Sequence, residues 1–179
     1  NILSGYIAKK MGLPIENLVL ATNENNVLDE FFKTGSYRVR SLNETYKTSS
    51  PSMDISKASN FERFIYDVVK NDHNRVNLLW KKLSDDGSFI INDEESLRFI
   101  KKSGIVSGSS SHQNRLATIK NIKEKYDRTI DPHTADGIFV ARKNLKSQIP
   151  MICLETALPI KFSKTVFESI GKTPQTPQK

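Results

Sequence analysis

Apolar residues recur along this chain at two spacings, and the alternation between them predicts an α/β protein. Ile2, Leu3, Tyr6, Ile7 and Met11 lie at helical spacing, and Gly12 followed by Pro14 ends that helix. The run Leu18 to Ala21 then reads as a short buried strand closing on Thr22 and Asn23. Asn25 to Lys33 is predicted helical and is stopped by Gly35. Helix, turn, strand, helix is the order of proteins in which parallel strands are joined by helices packed across the sheet. The order returns near the end of the chain. Pro150 introduces the apolar run Met151 to Glu155, predicted as a second strand, and Thr156 and a turn at Pro159 lead to the helix-like Ser163 to Ile170.

Between these units the pattern is mostly helical. Ser59 or Asn60 can cap a helix whose core face is Phe61, Phe64, Ile65 and Val68, and Val76, Leu79, Trp80 and Leu83 begin another. Ser88 to Ile91 reads as a weak strand or extended link, and Asp93 to Lys102 as a helix before Gly104. Leu116, Ile119 and Ile122 mark a further helix entered from the serine-rich turn Ser107 to Ser111, and Asp131 with Pro132 makes a helix start. Polar Arg38 to Ser52 is the expected mobile connection. No internal repeat is present. Residues 1–171 are therefore expected to form one α/β region with a parallel-sheet core and flanking helices, and residues 172–179 a flexible tail with nothing to bury.

Composition narrows the partners. With 179 residues, 37% of them hydrophobic, the chain can bury a real core. No run approaches the roughly 20 apolar residues that cross a bilayer, and no charged-then-apolar leader opens the sequence, so a cytoplasmic protein with no membrane partner is expected. The net charge of +7 raises the question of nucleic acid. Its distribution argues against one: Lys9 and Lys10, Lys81 and Lys82, and Lys101 and Lys102 fall late in helix-like segments, where cations complement the helix dipole, and no aromatic residues interleave as stacking platforms. The single cysteine, Cys153, sits in an apolar run and reads as a buried thiol. His73, His112 and His133 lack paired spacing, so no metal is expected.

Three places invite chemistry. In Gly108, Ser109, Ser110, Ser111, His112 a serine stands beside a histidine, but neighbours on a chain rarely point at each other, and a serine capping the following helix is the expected role. Thr22, Asn23 and Thr156 follow apolar runs at the carboxyl ends of strands, where open α/β sheets bind ligands and where turns and caps also need such residues. Asn1 stands at the start of a helix, where unpaired amides suit a phosphate.

Read as strings, NILSGYIAKKMGLP, ATNENN, SPSMDISKASNFER, DPHTADG and ETALPIKF resemble, in order, landmarks of the threonine synthase family from Asn1 to about Gly171. The resemblance implies a pyridoxal-phosphate enzyme with the fold of the tryptophan synthase β-subunit (fold type II), converting O-phosphohomoserine and water to threonine and phosphate. It implies that Asn1 matches the last position of the glycine-rich loop G-N-F-G-N that cradles the cofactor phosphate. The loop's earlier positions are missing, so the chain reads as an incomplete, C-terminal portion. Thr156 matches the threonine whose hydroxyl faces the cofactor's pyridine nitrogen. The family's Schiff-base lysine precedes that loop, which leaves no catalytic residue among the lysines here and implies a chain inactive alone.

His133 and Thr134 in DPHTADG, and Asn60 and Arg63 in SNFER, are expected to be architectural. The sequence departs from the family at Leu158, where many members have histidine, so any ionisable role there is absent. A catalytically silent binding module of the same fold, and a related pyridoxal-phosphate lyase or dehydratase, are the alternatives. Parallel strands are buried on both faces, so a chain lacking their neighbours is expected to self-associate.

Overall fold

A computed structural model describes residues 2–176. In chain order its elements are α1 (Ile2–Lys10), β1 (Leu18–Thr22), α2 (Val27–Thr34), β2 (Ser36–Arg38), α3 (Phe61–Val68), α4 (His73–Asp86), β3 (Ser88–Ile90), α5 (Glu94–Lys102), β4 (Ile105–Ser109), α6 (His112–Tyr126), α7 (Pro132–Arg142) and α8 (Ser163–Ile170). Short 3-10 turns lie at Pro51–Met53 and Pro159–Phe162. β1 pairs with β4. The Leu18 amide donates to the Gly104 carbonyl and the Ser110 amide to that of Thr22, each at 2.9 Å, so the two strands advance together and the pair is parallel.

The chain divides into two compact units, the first made of Asn1–Leu20, Asn26–Thr45 and Ile55–Ser107, the second of Ala21–Asn25, Tyr46–Asp54 and Gly108–Lys179. The first unit is organised by aromatic packing. The stripe predicted on α3, Phe61, Phe64, Ile65 and Val68, is buried. Phe61 meets Phe31 of α2 edge-on with centroids 4.7 Å apart, and Tyr37 of β2 lies 4.5 Å from Phe61 and 5.4 Å from Phe89 of β3. Antiparallel pairing sets Tyr37 directly opposite Phe89. The Tyr37 hydroxyl, carried into this core, accepts the Ala58 amide at 3.0 Å. Gly35 ends α2 at φ 76°, and a Cβ there would lie 2.5 Å from the Ile91 carbonyl oxygen, so the turn into β2 admits only glycine. Asp72 caps α4 by accepting the Asn74 and Arg75 amides, and Asp93 caps α5 through Ser96.

In the second unit α6 packs against α7 and α8 around Ile119, Ile122, Ile130 and Ala135. Four expectations need correction. The serine-rich stretch predicted as a turn is strand β4 as far as Ser109. Gly108 explains it, because a Cβ there would stand 2.9 Å from Val140 Cγ1 of α7, so a residue that weakens strand propensity is required by close packing. Met151 to Glu155 is extended without being a strand. No strand pairs with it among the described residues, and Ile152 and Leu154 are 80% and 66% exposed. Cys153 is accordingly exposed and not a buried thiol. Residues 38–52 are not a loose connection, since their second half is tied down by side-chain hydrogen bonds.

Truncating Phe31, fully buried at the centre of the aromatic cluster, is expected to cost about 3–5 kcal/mol in urea unfolding, whereas Leu42→Ala at a 95% exposed site leaves the midpoint unchanged.

Candidate functional site

The densest chemistry in the second unit is a buried polar network. It begins where β1 ends. Asn23 is fully buried, its Oδ1 accepting the Asn25 amide at 2.9 Å in an Asx-type turn and its Nδ2 donating to Asp54 Oδ1 at 2.8 Å and Thr48 Oγ1 at 2.9 Å. Asn25 completes the hold on the chain from Tyr46 to Asp54. Its side-chain amide donates to the Tyr46 carbonyl at 2.9 Å and accepts the Tyr46 amide at 2.8 Å, imitating a strand pair. Asp54 then accepts the Thr48 amide at 2.8 Å and the Thr48 hydroxyl at 2.6 Å.

Arg115 of α6 is the hub of the network. No part of it is exposed, and Asp136 of α7, its principal partner, is equally buried. Arg115 Nε donates to both Asp136 oxygens at 2.9 and 3.0 Å, Nη1 to Ser49 Oγ at 2.6 Å and Nη2 to Glu24 Oε2 at 2.8 Å. A guanidinium presents a rigid fork of donors and keeps its charge, which suits a position where several acceptors converge from different segments. Burial pushes the Asp136 carboxyl above its ordinary value, opposed by the Arg115 charge and by hydrogen bonds from Ser110 and Ser50.

The start of α7 is held separately. Asp131 caps it by accepting the His133 amide at 2.9 Å and also bonds the Thr134 hydroxyl. His133 Nε2 accepts the Ser52 amide at 3.1 Å, so its proton sits on Nδ1 and is donated to Asp131 Oδ1 at 2.9 Å. The ring packs edge-on against Phe162 at 4.6 Å. Both nitrogens of His133 are thus occupied by the protein, and its role is to join the loop before Asp54 to the head of α7. Burial pushes Asp131 upward, but the hydrogen bonds from His133, Thr134 and the His133 amide outweigh it and hold the carboxyl below its ordinary range.

The residues singled out from sequence fall in different surroundings. Asn23 and Thr22 serve the turn, Thr22 donating to the Gly108 carbonyl at 3.3 Å. Thr156 is exposed in the extended segment before the turn at Pro159. Asn1 lies outside the described residues. Asn60 Oδ1 accepts from Arg63, so this pair braces the start of α3 without a side-chain cap. Arg115 and Asp136 went unnoticed in the sequence, though a signal existed: Arg115, Ile119 and Ile122 share one helical stripe, which places a charge on a buried face.

These features define an α/β protein with a parallel strand pair, flanking helices and an ion-paired polar core. Residues 134–179 match the family model for the C-terminal part of threonine synthase. A threonine synthase of Methylobacillus glycogenes is 55% identical over 99% of this chain and 37% of its own length, and one of Corynebacterium glutamicum 52% identical over 100% and 38%. The pyridoxal-phosphate-bound threonine synthase of Brucella melitensis superposes with a TM-score of 0.92 at 40% identity, covering 98% of this chain and 37% of that one. The chain is thus similar to threonine synthases over nearly its whole length and spans a little over a third of the length of these relatives.

Removing one partner of a buried ion pair strands the other, so Arg115→Ala is expected to cost about 3–5 kcal/mol, while the paired change Arg115→Met with Asp136→Leu costs less than the sum of its parts in urea unfolding. Asp131→Ala is expected to cost about 1–2 kcal/mol at pH 7. Because the folded-state value of Asp131 is depressed, that contribution is complete above the ordinary carboxylate range near ~4 and is lost as pH falls through the folded value. The stability gap between wild type and variant should narrow when unfolding is repeated at progressively lower pH.

Proposed function

We propose that this chain is the C-terminal portion of a cytoplasmic, pyridoxal-phosphate-dependent threonine synthase that converts O-phospho-L-homoserine and water to L-threonine and phosphate. The observation that carries the proposal is the likeness of nearly the whole chain, at a TM-score of 0.92, to a threonine synthase solved with pyridoxal phosphate bound. No helix among the described residues is long and apolar enough to cross a membrane.

The donor types in the chain fit such a cofactor. Thr156 offers an exposed, neutral hydroxyl, which can hydrogen-bond a pyridine nitrogen without demanding its full protonation. Asn1 precedes α1, and the first-turn amides of a helix are suited to a phosphate. When bound, pyridoxal phosphate supplies an electron sink for carbanions formed on the amino acid. This chain's part is to orient the ring through Thr156 and the phosphate through Asn1. Leu158, two residues beyond Thr156, has no proton to move, and the Schiff-base lysine is assigned to none of the lysines here.

The longer protein containing this chain is expected to carry the visible absorbance of bound pyridoxal phosphate and to release phosphate from O-phosphohomoserine, and the 179-residue chain to do neither. Thr156→Val in the longer protein should retain the cofactor and lower kcat about tenfold, the equivalent of one hydrogen bond of ~1.4 kcal/mol, with Thr156→Ser close to wild type. Cofactor absorbance in the 179-residue chain that vanishes on mutating one of its own lysines contradicts the lysine assignment. A longer protein with neither absorbance nor phosphate release identifies a silent binding module.

A further inference from the structure

The histidine suspected beside its neighbouring serines has a different serine for a partner. Ser111 caps α6 by accepting the Asn114 amide, as expected of that position. His112 turns away from it. Its Nδ1 lies 2.7 Å from Ser49 Oγ, sixty-three positions earlier in sequence, and its Nε2 lies 3.0 Å from Glu168 Oε1 of α8.

The protons can be placed from the neighbours. Arg115 can only donate, so Ser49 Oγ accepts from Nη1 at 2.6 Å and its own hydrogen is left for His112 Nδ1. With Nδ1 accepting, the imidazole proton sits on Nε2 and is donated to Glu168. Serine, base and orienting carboxylate are in line within hydrogen-bond reach, the arrangement that activates a nucleophile. The imidazole is attached in the sense opposite to the serine protease template, but either ring nitrogen can take a proton. Arg115 adds a fourth element. Its N–H, fixed by Asp136 and Glu24, is aimed at the oxygen on which negative charge develops as the proton leaves. Ser49 is half-buried, and the His112 and Glu168 side chains are 41% and 50% exposed, so the group is open to solvent.

We propose that Ser49 is an activated nucleophile, with His112 as its general base, Glu168 and Arg115 as positioning residues, and small activated esters or phosphonyl fluorides as the class of electrophile it takes. This activity is independent of the pyridoxal-phosphate chemistry. With an ester, Ser49 Oγ bonds to the carbonyl carbon, its proton passes to His112 Nδ1, the bond to the alcohol oxygen breaks, and the same proton leaves on that alcohol. With a phosphonyl fluoride, Ser49 Oγ bonds to phosphorus, its proton passes to His112 Nδ1, the P–F bond breaks and fluoride departs, the proton then leaving to solvent.

The test is labelling of the full 179-residue chain with a fluorophosphonate probe, the adduct being located by peptide mass spectrometry. The expected result is a single adduct on Ser49, formed more slowly on acidification because an imidazolium has no lone pair for the serine proton. His112→Gln should slow labelling by about 100-fold. Glu168→Ala should slow labelling of Ser49, because the hydrogen bond that orients the imidazole is gone, and Glu168→Gln, whose amide oxygen can still accept from Nε2, should restore most of the rate. Labelling spread over many serines, or a Ser49 adduct whose rate ignores both pH and His112→Gln, overturns the proposal. Should His112→Gln not fold, the location of the wild-type adduct and its pH dependence decide the matter.

Discussion

A guanidinium sealed from water has to be answered by acceptors in fixed places, and in the second unit that demand organises everything near it. Arg115 draws an acceptor from each of three segments: Glu24 just after β1, Ser49 in the chain before Asp54, and Asp136 on α7. Leaving any donor unpaired in such a site is expensive, so the three segments are held to one another through a single side chain. The net stabilisation from a buried ion pair is small, because desolvation consumes most of the attraction. Its contribution is specificity of arrangement, since few other placements of these segments satisfy the same donors.

Around that hub the polar residues divide their work. Asn23 and Asn25 use side-chain amides as substitutes for main-chain pairing and thereby shape the chain from Tyr46 to Asp54, whose regular structure is limited to the short 3-10 turn Pro51–Met53. Asp131 and His133 fasten the head of α7 to Ser52. The first unit reaches the same end by other means, with aromatic contacts that are edge-on between Phe31 and Phe61 and tilted where Tyr37 meets Phe61 and Phe89, and with a hydrogen bond from the Ala58 amide for the Tyr37 hydroxyl carried inside.

Much of this was legible from residue spacing, and the failures share a cause. The α3 stripe, the helix start at Asp131 and Pro132 and the stop at Gly35 depend on neighbours a few positions away, so local pattern sufficed. Strand β4 was hidden because Gly108 is required by Val140, a contact over thirty positions distant. The apolar run Met151 to Glu155 has a strand's composition but no pairing partner among the described residues, and composition cannot supply one. Arg115 and Asp136 were missed as a pair, since each is an ordinary helical residue until two helices meet. The cofactor roles of Asn1 and Thr156 came only from family resemblance, since their residue types fit turns and caps equally well.

The parallel pair also bears on how this chain reaches its native state. Thr22 and Gly108 are bonded across 86 positions, so the β1–β4 ladder has no hairpin to start from and must wait until a long stretch of polypeptide has already contracted. Contacts of such high sequence separation belong to slow folding, and until they close, the backbone amides of Leu18 and Ser110 have only water or another molecule to bond. The rate of acquiring structure in this protein is therefore set by topology at β1 and β4, while helices such as α4 and α6, with their caps encoded locally, can form and dissolve many times before that ladder zips.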